Sequence, residues 1–131
     1  MAYNLRVVKT SDFIRYDGRG QTDRVRSRRI LERIAKACVD SEMNCALLDV
    51  RDLHSHLELK DLYSLINAFK DMGFRREHRL AILHSYRGTH KADFFAMCAS
   101  ARGWNVRAFD SFEDAMEWFA TEQEIQLSGS W

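Results

Sequence analysis

The spacing of apolar positions changes several times along the chain, and each change marks an element. Asn4 to Thr10 and Asp12 to Tyr16 are short runs that read as two strands, joined at Thr10, Ser11 and Asp12. The cluster Asp17, Gly18, Arg19 and Gly20 reads as the turn that follows them, so an antiparallel hairpin is expected to open the domain. From Thr22 the period becomes helical: Val25, Leu31, Ile34, Ala35, Cys38 and Val39 share one face, with Arg24, Arg28, Arg29, Arg33 and Lys36 largely opposite. Cys45 to Val50 is apolar on both sides, the pattern of a central parallel strand covered by helices. A second helix is predicted over about Leu59 to Met72, with Leu62, Tyr63, Ile66 and Phe69 at helical spacing and Gly73 as its stop.

Leu80 to Leu83 predicts the next strand. Arg87, Gly88 and Thr89 then turn the chain, and Thr89 is placed to cap a third helix through Phe94, Phe95, Cys98 and Ala101. Gly103 ends that helix, Val106 to Phe109 makes the last strand, and Ser111 with Asp114 three residues on resembles a capping box opening a fourth helix. Strands and helices that alternate in this way build a layered α/β domain with right-handed crossovers. The expectation is one domain over residues 1–121, with a mostly parallel central sheet of about five strands, the N-terminal hairpin and four helices. Residues 122–131 lack a clear period and are expected to form a C-terminal tail that frays, unless Trp131 docks back.

Composition agrees with this reading. The chain has 131 residues, 46% hydrophobic and 30% charged, a globular balance of the right size for one core. No apolar run approaches the roughly 20 residues a membrane-crossing helix requires, and Met1 to Thr10 lacks the pattern of a signal peptide, so a cytoplasmic protein without stable membrane insertion is expected. Cys38, Cys45 and Cys98 form no CxxC pair and sit inside apolar patterns, as buried reduced thiols do. The net charge is only +1, but it is unevenly spread: 10 basic and 4 acidic residues precede Ala37, and 10 basic and 15 acidic follow. Without an aromatic-interleaved basic strand, the run Arg24, Arg26, Arg28, Arg29 and Arg33 points to a solvated face or an acidic protein partner, not to nucleic acid.

The order of these elements resembles the SpoIIAA-like branch of the STAS domains, which includes anti-sigma-factor antagonists and, more distantly, Sec14-type lipid-binding proteins. The resemblance is carried by "CALLDVRDL" (Cys45 to Leu53), "RLAIL" (Arg79 to Leu83) and "WNVRAFDSFEDAMEWF" (Trp104 to Phe119), and covers most of Asn4 to Ala120. It implies a STAS-like sheet and a regulatory or protein-interaction module. Anti-sigma antagonists resemble one another in a "DSSG" type stretch whose serine is phosphorylated. Here that stretch is "HLELKD", His56 to Asp61, with Leu59 and Lys60 at the helix start, so the usual phosphorylation switch is not expected.

Ligands of open α/β sheets bind beyond the carboxyl ends of the parallel strands. That rule gathers Arg51, Asp52, His54, Ser55 and His56 after the central strand with His84, Tyr86 and Arg87 after the next as candidates for binding a ligand or partner. His54 and His56 form an HxH pair that solvated loops commonly carry, and no HExxH, GxSxG or GxxxxGK[ST] pattern accompanies it. No catalytic residue, metal or cofactor is therefore assigned. The expected partner is a protein, met through the loop from Arg51 to Leu57 and with the chain as a homodimer. The alternative is a small amphiphilic ligand whose head group Arg51, His54, His84, Tyr86 and Arg87 would hold, with the helix aromatics lining an apolar pocket.

Overall fold

The structure is a computed structural model that describes residues 5–8, 13–86 and 90–129, with side chains described over 13–86 and 90–120. Its order is β1 (Leu5–Val8), β2 (Phe13–Thr22), α1 (Arg24–Ser41), β3 (Cys45–Ser55), α2 (Leu59–Asn67), α3 (Phe69–Met72), β4 (Arg79–Leu83), α4 (Lys91–Ala101), β5 (Asn105–Phe109) and α5 (Phe112–Gly129). β2, β3, β4 and β5 are parallel neighbours in sequence order, so the parallel sheet is four strands wide where a sheet of about five strands was expected. The β1 segment lies antiparallel to β2, with Leu5 opposite Tyr16 and Val8 opposite Phe13. The joining residues Thr10, Ser11 and Asp12 fall outside the described residues.

Consecutive parallel strands joined by crossovers of one hand place every intervening helix on the same side. Accordingly Ile34 and Cys38 of α1, Leu65 and Ile66 of α2, Phe69 of α3 and Ala99 of α4 form one core with the inward residues Ala46, Leu48, Leu80 and Ile82 of the sheet. Alternation along the same strands sends Cys45, Leu47, Ala81 and Leu83 to the other side, where α5 packs through Ala115, Trp118 and Phe119. Cys38 and Cys45 are buried and form no disulfide among the described residues, and burial pushes the Cys38 thiol up to about 12.

Four expectations need correction. The cluster Asp17 to Gly20 is not a turn: β2 passes through it with an irregularity between Asp17 and Arg19. Gly18 is buried there, and an added Cβ would stand 3.4 Å from the Asp49 carbonyl oxygen and from the Leu53 side chain, so the close approach of β3 absorbs the glycine. The helix predicted over Leu59 to Met72 is two helices, giving five among the described residues instead of four. Ala68, at φ −93° and ψ 0°, breaks it, and Gly73 at φ +106° ends the second piece. The central strand continues to Ser55, five residues past Val50, because β2 keeps pairing with it through Thr22↔Ser55. Last, α5 extends through the segment read as a tail as far as Gly129, since no glycine or proline interrupts it earlier.

Several helix ends follow the sequence closely. The Asp23 carboxylate accepts the Arg26 N–H at 2.9 Å and caps α1. Ser111 Oγ accepts the Asp114 N–H at 3.3 Å at the start of α5, as the SxxD spacing predicts. Thr89, expected to cap the third helix, lies outside the described residues.

Candidate functional site

The strands of the parallel sheet end at different heights, and this creates the site. β3 pairs with β4 only as far as Asp49↔Leu83 but stays paired with β2 for six more residues. The β2–β3 ribbon therefore overhangs the carboxyl ends of β4 and β5. Under the overhang, between α1, α2 and α4, lies a cleft of about 460 Å³. Its floor is apolar: Leu48 and Ile82 from the sheet, Ile30 and Leu31 from α1, Leu62 and Leu65 from α2, and Phe95 from α4. Its rim is polar, made by Arg51, His54, Ser55, His84, Ser85 and Lys91, and no carboxylate lines it among the described residues.

The rim is held by short-range hydrogen bonds. His84 Nδ1 lies 2.9 Å from the Ser85 carbonyl, which can only accept, so Nδ1 carries a proton there and Nε2 faces the Asp93 carboxylate at 3.5 Å. Ser55 Oγ accepts the Leu57 N–H at 3.1 Å, and Lys91 Nζ reaches the Ser55 carbonyl at 3.5 Å, bridging the tip of β3 to the start of α4. On the α1 side, Thr22 and Ser27 form a buried hydroxyl pair at 2.8 Å; Thr22 Oγ1 also donates to the Asp23 carbonyl, which leaves Ser27 as the donor within the pair.

A second arrangement sits where β2 and β3 run together. Asp49, 8% exposed, receives Arg51 through Nη2 at 2.7 Å and Nε at 3.0 Å, the Arg51 backbone N–H at 3.0 Å, and Arg15 Nη2 at 3.2 Å. Burial pushes the Asp49 carboxyl up, but the Arg51 hydrogen bonds and the charges of Arg51 and Arg15 outweigh it and hold the group below its ordinary value. The same contacts raise the Arg51 guanidinium further. Arg15 also pairs with Asp17 at 2.8 Å.

Of the candidates read from the sequence, the structure brings Arg51, His54, Ser55 and His84 to the cleft rim. Arg51 is there as a residue already engaged by Asp49. Asp52 and His56 do not line the cleft; Asp52 is exposed opposite Arg19 in the β2–β3 register, and His56 Nε2 meets Gln21 Oε1 at 2.7 Å. Tyr86 is 86% exposed and also outside it, and Arg87 falls outside the described residues. The segment Arg51 to Ser55, expected as a loop, is strand.

Sequence reasoning missed Thr22, Ser27 and Lys91, and missed that one face of α1 forms a wall. Lys91, directly after the His84–His90 segment, was within reach of the strand-end rule. The Thr22–Ser27 pair carried no local signal. Among the described residues, no group of three or more His, Cys, Asp or Glu is arranged to hold a metal ion, and no helix is long and apolar enough to cross a membrane.

No protein-family model and no curated protein matches this chain. In three dimensions it is similar to an uncharacterised protein of the DUF3478 family with a SpoIIAA-like fold, from Shewanella loihica PV-4. The TM-score is 0.57 at 15% sequence identity, over 88% of this chain and 89% of that one. With helices α1 to α4 on one side of the parallel strands and α5 on the other, the chain has a SpoIIAA-like α/β fold.

Proposed function

We propose that the protein is a non-enzymatic binding module whose strand-end cleft takes a small amphiphile with an apolar body and an anionic head. The observation that carries this reading is the cleft itself. Its volume of about 460 Å³ lies in the range of small-molecule sites, and its floor is aliphatic and aromatic. Its rim offers Lys91, the imidazoles of His54 and His84, and an Arg51 already held by Asp49; no carboxylate lines the cleft itself among the described residues, although Asp93 faces His84 from outside it. An apolar tail would replace water on Leu48, Ile82 and Phe95, gaining about 25 cal/mol per Å² of apolar surface covered, while a carboxylate or phosphate would meet the cations at the mouth. Native mass spectrometry of gently purified protein, followed by titration with a dansyl-labelled fatty acid, tests this. A mass increment on the subunit, or saturable fluorescence enhancement, is expected; a bare mass together with no enhancement rejects the reading.

A second reading, a regulatory or protein-interaction module acting as a homodimer, draws support from β3. Beyond Asp49 its edge toward β4 has no strand partner among the described residues, and such an edge is a template for strand addition by another chain. The two readings differ in stoichiometry, so the same spectra separate a small-molecule increment from a whole-subunit one.

A further inference from the structure

Behind the β2–β3 overhang lies a second concavity that the amphiphile reading does not use. It is a groove of about 210 Å³ between the end of β2 and the outer face of α1, into which Arg19, Arg26, Arg29 and Arg33 converge over a floor that includes Tyr16 and Ile30. Arg26, Arg29 and Arg33 recur at helical spacing, which sets them on one face of α1, and Arg19 faces them from the strand. None of the four forms an ion pair among the described residues. Arg26 Nη1 donates to the Gln21 carbonyl at 3.0 Å, a neutral acceptor, whereas Arg28, outside the groove, pairs with Glu32 at 3.7 Å. No carboxylate lines the groove among the described residues, so no lining side chain offsets the mutual repulsion of the four guanidinium groups.

We propose that this groove is a binding site for a small ligand carrying two or more adjacent phosphate groups. Guanidinium forks grip phosphate oxygens in pairs, and several forks around one hollow suit a group with oxygens on every side. A lone phosphate brings roughly −2 charge, half of what four arginines neutralise, while a di- or triphosphate chain matches them. The volume equals that of about seven waters, enough for a short phosphate chain but not for a long polymer. Tyr16 in the floor supplies a ring against which a planar group attached to the chain would stack. The site stands independently of the amphiphile cleft, although Thr22, Ile30 and Leu53 border both.

Calorimetric titration of the full chain with sodium tripolyphosphate and, separately, with ATP tests the assignment. Saturable binding is expected, weakened about tenfold or more in the double variant Arg29→Ala/Arg33→Ala, whose exposed helix positions tolerate alanine. The charge-matched double variant Arg24→Ala/Arg28→Ala, on the same helix but outside the groove, is expected to stay within about twofold. ATP binding more tightly than tripolyphosphate assigns a nucleotide with its base on Tyr16; equal affinities assign the phosphate chain alone. Absence of binding by both probes, or equal weakening by the two double variants while both melt like the parent, overturns the proposal.

Discussion

Arg51 folds back onto Asp49, two residues earlier on the same strand, and holds its carboxylate through both the side chain and the backbone N–H. A pair at i and i+2 in a strand projects from one face, so the contact follows from the extended backbone that β2 imposes. It also means that an arginine at the cleft mouth is partly committed before any ligand arrives.

Replacing Arg51 by alanine leaves the buried Asp49 with Arg15 as its one remaining ion-pair partner among the described residues. The expected loss is about 1–2 kcal/mol, kept small because Arg51 is half exposed and screened by solvent. Asp49 has its carboxyl held low in the folded protein, so it contributes stability above the unfolded carboxyl value that is lost as pH falls through the folded one. Urea unfolding at several pH values checks both effects. The variant should be less stable at neutral pH and show a shallower decline in acid; unchanged curves would remove Arg51 as the clamp on Asp49.

His78 gives a prediction of the same kind in a different window. It is buried, its Nδ1 accepts the Arg75 N–H at 3.1 Å, and burial lowers it from 6.5. Below that value the unfolded chain takes up a proton that the folded chain resists, so stability falls as pH drops from 6.5 toward the folded value. His78→Asn, which keeps an acceptor near the Arg75 N–H, should flatten this part of the stability curve relative to the parent. An identical slope in both proteins would assign the decline to other groups.

The aromatic cluster behind the cleft predicts where the fold is least tolerant. Phe69 stacks on Phe74 at 4.6 Å and tilts against Trp104 and Phe95 at 5.4 and 5.8 Å. Phe69→Ala should cost about 3–5 kcal/mol, enough to unfold a domain of ordinary stability. Chemical denaturation reads this directly, and a loss below about 1 kcal/mol would mean that the neighbouring rings close the cavity.

Ala92 lines the cleft at the first turn of α4 without reaching a polar partner. Ala92→Trp should fill the mouth and abolish fatty-acid probe binding, while stability stays within about 1 kcal/mol of the parent. Retained probe binding in a folded variant would move the ligand elsewhere on the protein.

The alternation of strand and helix, the buried strands Cys45 to Val50 and Leu80 to Leu83, the stop at Gly73 and the Ser111 cap were legible in the sequence. Each rests on signals a few residues long: apolar period, a glycine free to take positive φ, a hydroxyl three residues before an N–H. The strand-end rule also put His54, Ser55 and His84 near one place. What the tertiary structure alone decided is the extension of β3 through Arg51, Asp52, Leu53, His54 and Ser55. Those residues carry no strand pattern and are extended because β2, far away in sequence, supplies their hydrogen bonds. That pairing also overrode the glycine-rich turn signal at Asp17 to Gly20. It raised the overhang under which the cleft opens, and it set Arg19 across from the arginines of α1. Both concavities are products of contacts between segments distant in the chain, which local periodicity does not encode.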